Sequence, residues 1–415
     1  MIVNNCLRDT DSFSDVIDKE ERKMKKRLIA LVMVLCLTLT LCACGGGGDD
    51  ADSAKKVVVG VFEPLSGNNG AGGKQEVLGM QYAHHLFPTV EINGETYEVD
   101  LVISDNESST DKAVTAANDL VSAGASIVLG SYGSSVAIAG SDTFESAGVP
   151  AMGVTCTNPQ VTEGNEHYFR ICFLDPFQGT VLANFAHDEL NADTVYCLGE
   201  LGNDYDQGLI NYFKAAAEGF GMTVITDSFP EGNSDFNSYL TTAKNKNADV
   251  IFAPTSINYA QLIVEQATAQ NLGLPLVGPD TWDSNVVVSA ATGKDVDIYA
   301  STFYAEGGDP EFEEGFKAFI NGDAKNLENN GGNDMIAAVS VMGYDAYLTA
   351  LEALKAAGST DPAAVMQALP NVTVTGITGD IRFGEHGDAV RDTAFVKTVN
   401  TETGVWDFVT VQKVA

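Results

Sequence analysis

Short apolar runs alternate with amphipathic stretches along most of this chain. The runs at residues 57–62, 97–104, 126–129 and 149–154 have the length and β-branched content of buried strands. Residues 74–87 repeat apolar side chains at helical spacing, with Val77, Leu78, Tyr82 and Leu86 on one side. A second helix is expected from Thr110, as its cap, to about Ala123, where Gly124 stops it. A third follows GSYGSS (130–135): Ser134 and Ser135 are cap candidates, and Val136, Ile138, Ala139 and Phe144 supply an apolar face. A strand over 169–173 closes this first series.

The pattern then starts again. Helices over 178–190, 205–218, 235–246 and 259–271 alternate with strands over 194–198, 223–227, 250–253 and 276–278. A returning strand at 299–304, helices at 311–320 and 335–357, and strands from about Asn371 complete the chain. Such alternation is the pattern of a parallel sheet with helices on both faces. Two runs of similar size predict an α/β protein with two Rossmann-like lobes. No linker rich in Pro or Ser divides them, so each lobe is expected from separated pieces. The first takes 57–173 plus 305–371, the second 174–304 plus 372–415, and a multi-strand hinge joins them.

The first 56 residues break this pattern. KMKKR (23–27) is a basic run, and 28–43 is an apolar run too short for a spanning helix. The run ends in LCAC (41–44), which resembles the lipobox of bacterial lipoproteins. That resemblance implies a leader removed before Cys44 and a lipid on its thiol; the alternative is a signal peptide cut nearby without lipid. Residues 1–23 carry charges of both signs and precede a better start at Met24, so they read as a mis-assigned extension, with 24–44 the signal peptide. Residues 45–56 open with GGGGDD and read as a flexible tether.

Charge removes one class of function. The 415 residues include 57 Asp or Glu against 23 Lys or Arg, a net charge of −34. Nucleic-acid binding wants a basic face. Four of the seven cysteines, Cys6, Cys36, Cys42 and Cys44, precede the body. Cys156, Cys172 and Cys197 form neither a disulfide framework nor a zinc spacing, and read as small buried residues.

Candidate chemistry gathers at two adjacent strand ends. The strand at 126–129 empties into GSYGSS (130–135), and that at 149–154 into TCTNP (155–159). Hydroxyls, backbone N–H groups and a helix N-terminus meet there, at the edge where open α/β sheets bind ligands; a carboxylate suits such a place. Phe169, Arg170 and DPFQG (175–179) follow. Together with PLSG (64–67) after the opening strand and GITGDIRFGEHGD (376–388), these motifs are similar, in order, to those of the extracellular solute-binding proteins of ABC importers. Specifically, they resemble the leucine/isoleucine/valine-binding family with its type I periplasmic-binding-protein fold. The resemblance spans nearly everything from Lys56 onward.

This resemblance implies an amino acid held as its zwitterion between two lobes that close about a hinge. Ser134 and Thr157 match the hydroxyls that take the ligand carboxylate, and Thr155 a backbone contact beside them. Tyr205 matches an aromatic of the second lobe facing the ligand. Asp280 stands where the family places an acidic partner for the ammonium, and a buried ammonium needs one. On the residues alone, Tyr205 reads equally as a core aromatic at a helix start, and Asp280 as a turn or cap carboxylate ahead of Ser284. The resemblance further implies a monomeric, lipid-anchored protein on the extracellular face of the cytoplasmic membrane. It would deliver its ligand to permease and ATPase subunits, with no cofactor and no catalysis. The alternative is a sensor of the same fold for an amide or other small polar solute.

Three departures leave the ligand side chain open. The family often carries an aromatic in its first loop, whereas GNNGAGG (67–73) is all small, with Gly72 in the matching place. PTSIN (254–258) stands where the family often has Gly and Tyr. Trp282 is an extra aromatic beside Asp280 and a candidate additional ligand contact. Other chemistries find no motif. The first loop fails G-x-G-x-x-G spacing, and P-loop and G-x-S-x-G signatures are absent. The five histidines have no metal-ligand spacing, and Glu200, Asp204 and Asp206 read as surface acids.

Overall fold

The computed structural model describes residues 54–413. The expected leader, Cys44 and most of the tether lie outside the described residues. Two sheets organise the rest. The first contains β1 (Lys56–Glu63), β2 (Thr89–Ile92), β3 (Glu95–Asp105), β4 (Ala125–Gly130), β5 (Ala151–Gly153) and β6 (Tyr168–Arg170), in the order β2-β3-β1-β4-β5-β6. All its pairs are parallel except β2 with β3. The second contains β7 (Thr194–Glu200), β8 (Thr223–Phe229), β9 (Val250–Phe252), β10 (Leu276–Gly278) and β11 (Ile298–Thr302). Two late strands, β14 (Thr393–Asn400) and β15 (Val405–Lys413), extend its edge antiparallel, giving the order β15-β14-β11-β10-β9-β7-β8. Between them in sequence, β12 (Thr373–Gly376) and β13 (Gly379–Arg382) pair only with each other.

Buried strands such as β4, whose six residues are all inaccessible, explain the unbroken apolar runs. Helices cover the first sheet on two sides. The long helix Ala338–Ala357 crosses the helix Gly70–Leu86 at backbone distance. A Cβ on Gly79 would collide with the Ser340 carbonyl, and one on Gly343 with the Glu76 carbonyl. This crossing fixes Glu76 inside the lobe.

Several expectations shift. The Gly-rich stretch read as a loop is the first turn of a helix that starts at Gly70. Its glycines are needed for packing: a Cβ on Gly73 would strike the Pro64 carbonyl, and one on Gly72 would meet Tyr132 and Ile257. Strands were expected to join the second lobe from about Asn371. The hairpin β12–β13 instead lies against the first-lobe core through Ile381. Asp345 of the long helix clamps its turn, accepting from the Ile377 and Thr378 N–H groups at 2.9 and 2.8 Å. Cys156, Cys172 and Cys197 are free and buried.

The chain passes between the sheets after β6, after β11 and before β14. These crossings pack on one another. Phe173 stacks on Phe303 at 4.2 Å, and Arg391 donates to the Ile171 carbonyl at 2.9 Å. Among the described residues no helix is long and apolar enough to cross a membrane.

Candidate functional site

The carboxyl ends of the parallel strands in the two sheets face one cleft of ≈ 460 Å³. The first sheet contributes the loops after β1, β4 and β5, which carry Asn69, Ser134 and Thr155. The second contributes those after β7, β9 and β10, which carry Tyr205, Ser256 and Thr281.

Ser134 and Ser135 do not cap the helix they begin. Gly133 occupies the cap position, with no side-chain cap bond. Ser134 Oγ instead accepts from the Asn158 N–H at 3.2 Å, tying together the loops after β4 and β5. Ser135 Oγ reaches across the cleft, accepting from the Asp204 N–H at 3.0 Å and donating to Asn203 at 3.3 Å. Asn158 also donates to the Asp204 carbonyl at 2.7 Å, and Asn258 N–H to the Asn68 carbonyl at 3.3 Å. The lobes therefore touch along the cleft rim. Between them Tyr132, Ile257, Ala337 and Val339 form a small apolar cluster. Tyr132 fills the space beside Gly72, so an aromatic from a different loop stands where an aromatic of the first loop was sought.

Asp280 lies at the centre of the second-lobe wall, buried, in a short turn Asp280–Trp282 that its side chain does not cap. Its carboxylate accepts from the Tyr205 hydroxyl at 2.9 Å and from Gln178 Nε2 at 2.7 Å. Ser284, not Asp280, caps the next helix through the Val286 N–H at 3.2 Å. Burial pushes the Asp280 carboxyl up to about 6, and the two donors restrain the rise. Below it, Asp283 is buried against Lys397 at 2.9 Å and also accepts from Thr302. This ion pair anchors the turn to β14 and β11.

Of the expected residues, Ser134, Thr155 and Tyr205 line the cleft, and Asp280 sits directly behind Tyr205. Thr157 is deeper and fully buried beside Asp175; its hydroxyl lacks a hydrogen-bond partner within the protein. Burial raises Asp175 to about 8. Trp282 is placed elsewhere: it is fully buried in the second-lobe core, stacked over Gly278, and its indole N–H donates to Thr255 at 3.2 Å.

Several residues were not visible as site residues in the sequence. Thr155 donates to Glu76 at 2.5 Å, and Glu76 faces Glu63 in a fully buried carboxyl pair. Burial and then repulsion from Glu76 push the Glu63 carboxyl well above its ordinary range, while burial lifts Glu76 to about 7. Gln178, inside the DPFQG motif, bridges Asp280 and Ser301 at 2.7 and 2.8 Å. Glu200 and Asp206, read as surface acids, are buried and line the cleft; Asp204 is exposed. Two acids close together in a polar stretch look like a solvated face in sequence. Only the closure of the second lobe over them reveals otherwise.

A model of the family described as periplasmic binding protein matches residues 56–403. Leu/Ile/Val-binding protein homolog 1 of Brucella abortus is 27% identical over 339 residues, 80% of this chain and 87% of the relative. Among solved structures, the leucine-binding protein LivK of Thermotoga maritima has a TM-score of 0.75 at 28% identity, covering 86% of this chain and 99% of its own. LivJ of Streptococcus pneumoniae, solved with isoleucine, has a TM-score of 0.73 at 25% identity, covering 87% and 99%.

Proposed function

Because the chain belongs to the periplasmic-binding-protein family of ABC transporters, on its leucine/isoleucine/valine-binding branch, we propose that it captures an amino acid between its lobes and delivers it to a membrane permease. The observation that carries this reading is Asp280. It is a buried carboxylate fixed by Tyr205 and Gln178 beside a cleft that also holds Ser134, Thr155 and a helix N-terminus. An ammonium suits the second-lobe wall and a carboxylate the first-lobe wall.

Binding is a matter of holding, not of reaction. Ser134 and the backbone around it orient the carboxylate end, with Thr157 below. Tyr205 covers the ligand from the second lobe and donates a hydrogen bond to Asp280, which holds that carboxylate in place for an ammonium. Calorimetric titration of the purified protein with each common amino acid tests the reading. At least one is expected to bind at one site per chain with micromolar or tighter affinity; no binding across the panel overturns it.

Anchoring belongs to the same reading. The basic run, the apolar run and LCAC (41–44) support a lipid on Cys44 and a body tethered outside the membrane. Cys44→Ala should release the protein into the medium. Persistence of the variant in the membrane fraction would instead mean that the leader remains as an anchor.

A further inference from the structure

The cleft is one-sided in charge. Glu107, Asp111, Glu200, Asp206 and Glu231 line it, and among the described residues no lysine or arginine does. Most of these acids stand at the open mouth, where a solvated face needs no explanation. Asp206 differs. It is 1% exposed, its Oδ2 accepts from the Glu200 N–H at 2.7 Å, and its Oδ1 has no hydrogen-bond partner in the protein. Glu200, by contrast, is occupied on both oxygens, by Tyr259 at 2.9 Å and Asn203 at 3.0 Å.

An independent, uncharged group lies in the same cleft. Ser256 Oγ is buried and also lacks a partner. Buried polar atoms are almost always paired, and a buried carboxylate oxygen without a donor is costly. The interior cations cannot serve. Arg170 is engaged by Asp388 and by the Cys156 and Asn158 carbonyls, and Lys397 by Asp283. Burial, with Glu200 as a like-charged neighbour, pushes the Asp206 carboxyl well above its ordinary range, and a cation beside it would favour the ionised form. Among the described residues no group of acids, histidines or cysteines is arranged to hold a metal ion.

We propose that the ligand carries a second cationic group, an amine or guanidinium ending its side chain, and that Asp206 and Ser256 receive it. This rests on the amino-acid reading above. Asp280 takes the α-ammonium, and Asp206 follows Tyr205 by one residue at the start of the helix Asp204–Gly219. Asp206 and Ser256 both line the cleft beside which Asp280 lies, so the second cation is placed on the second-lobe side. A leucine side chain placed there would bury apolar surface against an unpaired carboxylate and gain little.

The test is competitive calorimetry on the purified protein with L-ornithine, L-lysine and L-arginine against L-leucine and L-valine. At least one dibasic amino acid should bind about tenfold or more tightly than either aliphatic one. Asp206→Asn, which retains an acceptor for the Glu200 N–H, should lose most of that preference; Ser256→Ala carries the same test if the first variant does not fold. Tighter binding of leucine or valine overturns the inference and leaves the amino-acid reading standing. A dibasic preference untouched in both variants overturns the assignment of these residues. No binding by any of the five, with binding elsewhere in the common panel, overturns the cationic class alone, whereas silence across the whole panel overturns the amino-acid reading with it.

Discussion

At the scale of single residues, Asp280 decides most. Asp280→Asn keeps the shape and the bonds from Tyr205 and Gln178 but removes the charge. Leaving an ammonium buried without its anion costs on the order of 3–5 kcal/mol, or roughly 100-fold or more in affinity. Titration calorimetry reads this directly, and affinity within a few-fold of the parent would make Asp280 a structural turn residue. The same carboxyl sets a pH dependence. A bound ammonium favours the ionised form, so affinity should fall as pH drops through about 6, approaching tenfold per unit. Without ligand the sign for stability is opposite. The folded carboxyl keeps its proton to higher pH than the unfolded chain, so its contribution declines as pH rises from 3.8 to about 6. Asp175 extends the decline to about 8 and Glu76 acts in the same direction to about 7. Urea midpoints of the ligand-free protein should thus be lower at pH 8 than at pH 5.5. A flat profile would mean that these acids are not buried as described. The family resemblance pointed to Asp280, Tyr205 and Ser134 by motif position, and the structure places them in or beside the cleft. Sequence could not show Asp206 or Glu76, because burial of an acid is a property of the closed lobe and not of its neighbours in sequence.

At the scale of elements, alternation of apolar runs and helical periods located most strands and helices, because parallel sheets bury both faces of each strand. Errors cluster where packing overrides local signals. Ser134 and Ser135 have the chemistry of caps, yet they tie loops and lobes together, since the strand ends converge on them. The glycines at 70, 72 and 73 read as a loop by propensity, but close approach to Pro64 and Tyr132 makes them a helix turn. β12 and β13 carry strand signals and still join neither large sheet, because Asp345 holds their turn against the long helix. The helix crossing gives an element-level prediction. Gly79→Ala puts a methyl into the Ser340 carbonyl, so the helices must separate at a cost of about 1–3 kcal/mol. A lowered urea midpoint with the m-value unchanged is expected; an unaltered midpoint would show that the crossing has slack.

At the scale of the whole molecule, three crossings joined by the Phe173–Phe303 stack and the Arg391–Ile171 bond form a hinge, and the lobes meet at the rim through a handful of hydrogen bonds of 2.7 to 3.5 Å. Each such bond contributes about 0.5–1.5 kcal/mol net. That is weak enough for opening, and a ligand touching Ser134 on one wall and Tyr205 and Asp280 on the other tips the balance by its differential contacts. Small-angle scattering with and without the tightest-binding amino acid tests this most directly. A smaller radius of gyration at saturation is predicted, with the change lost in Asp280→Asn at the same ligand concentration. An identical curve with and without bound ligand would contradict capture between two closing lobes.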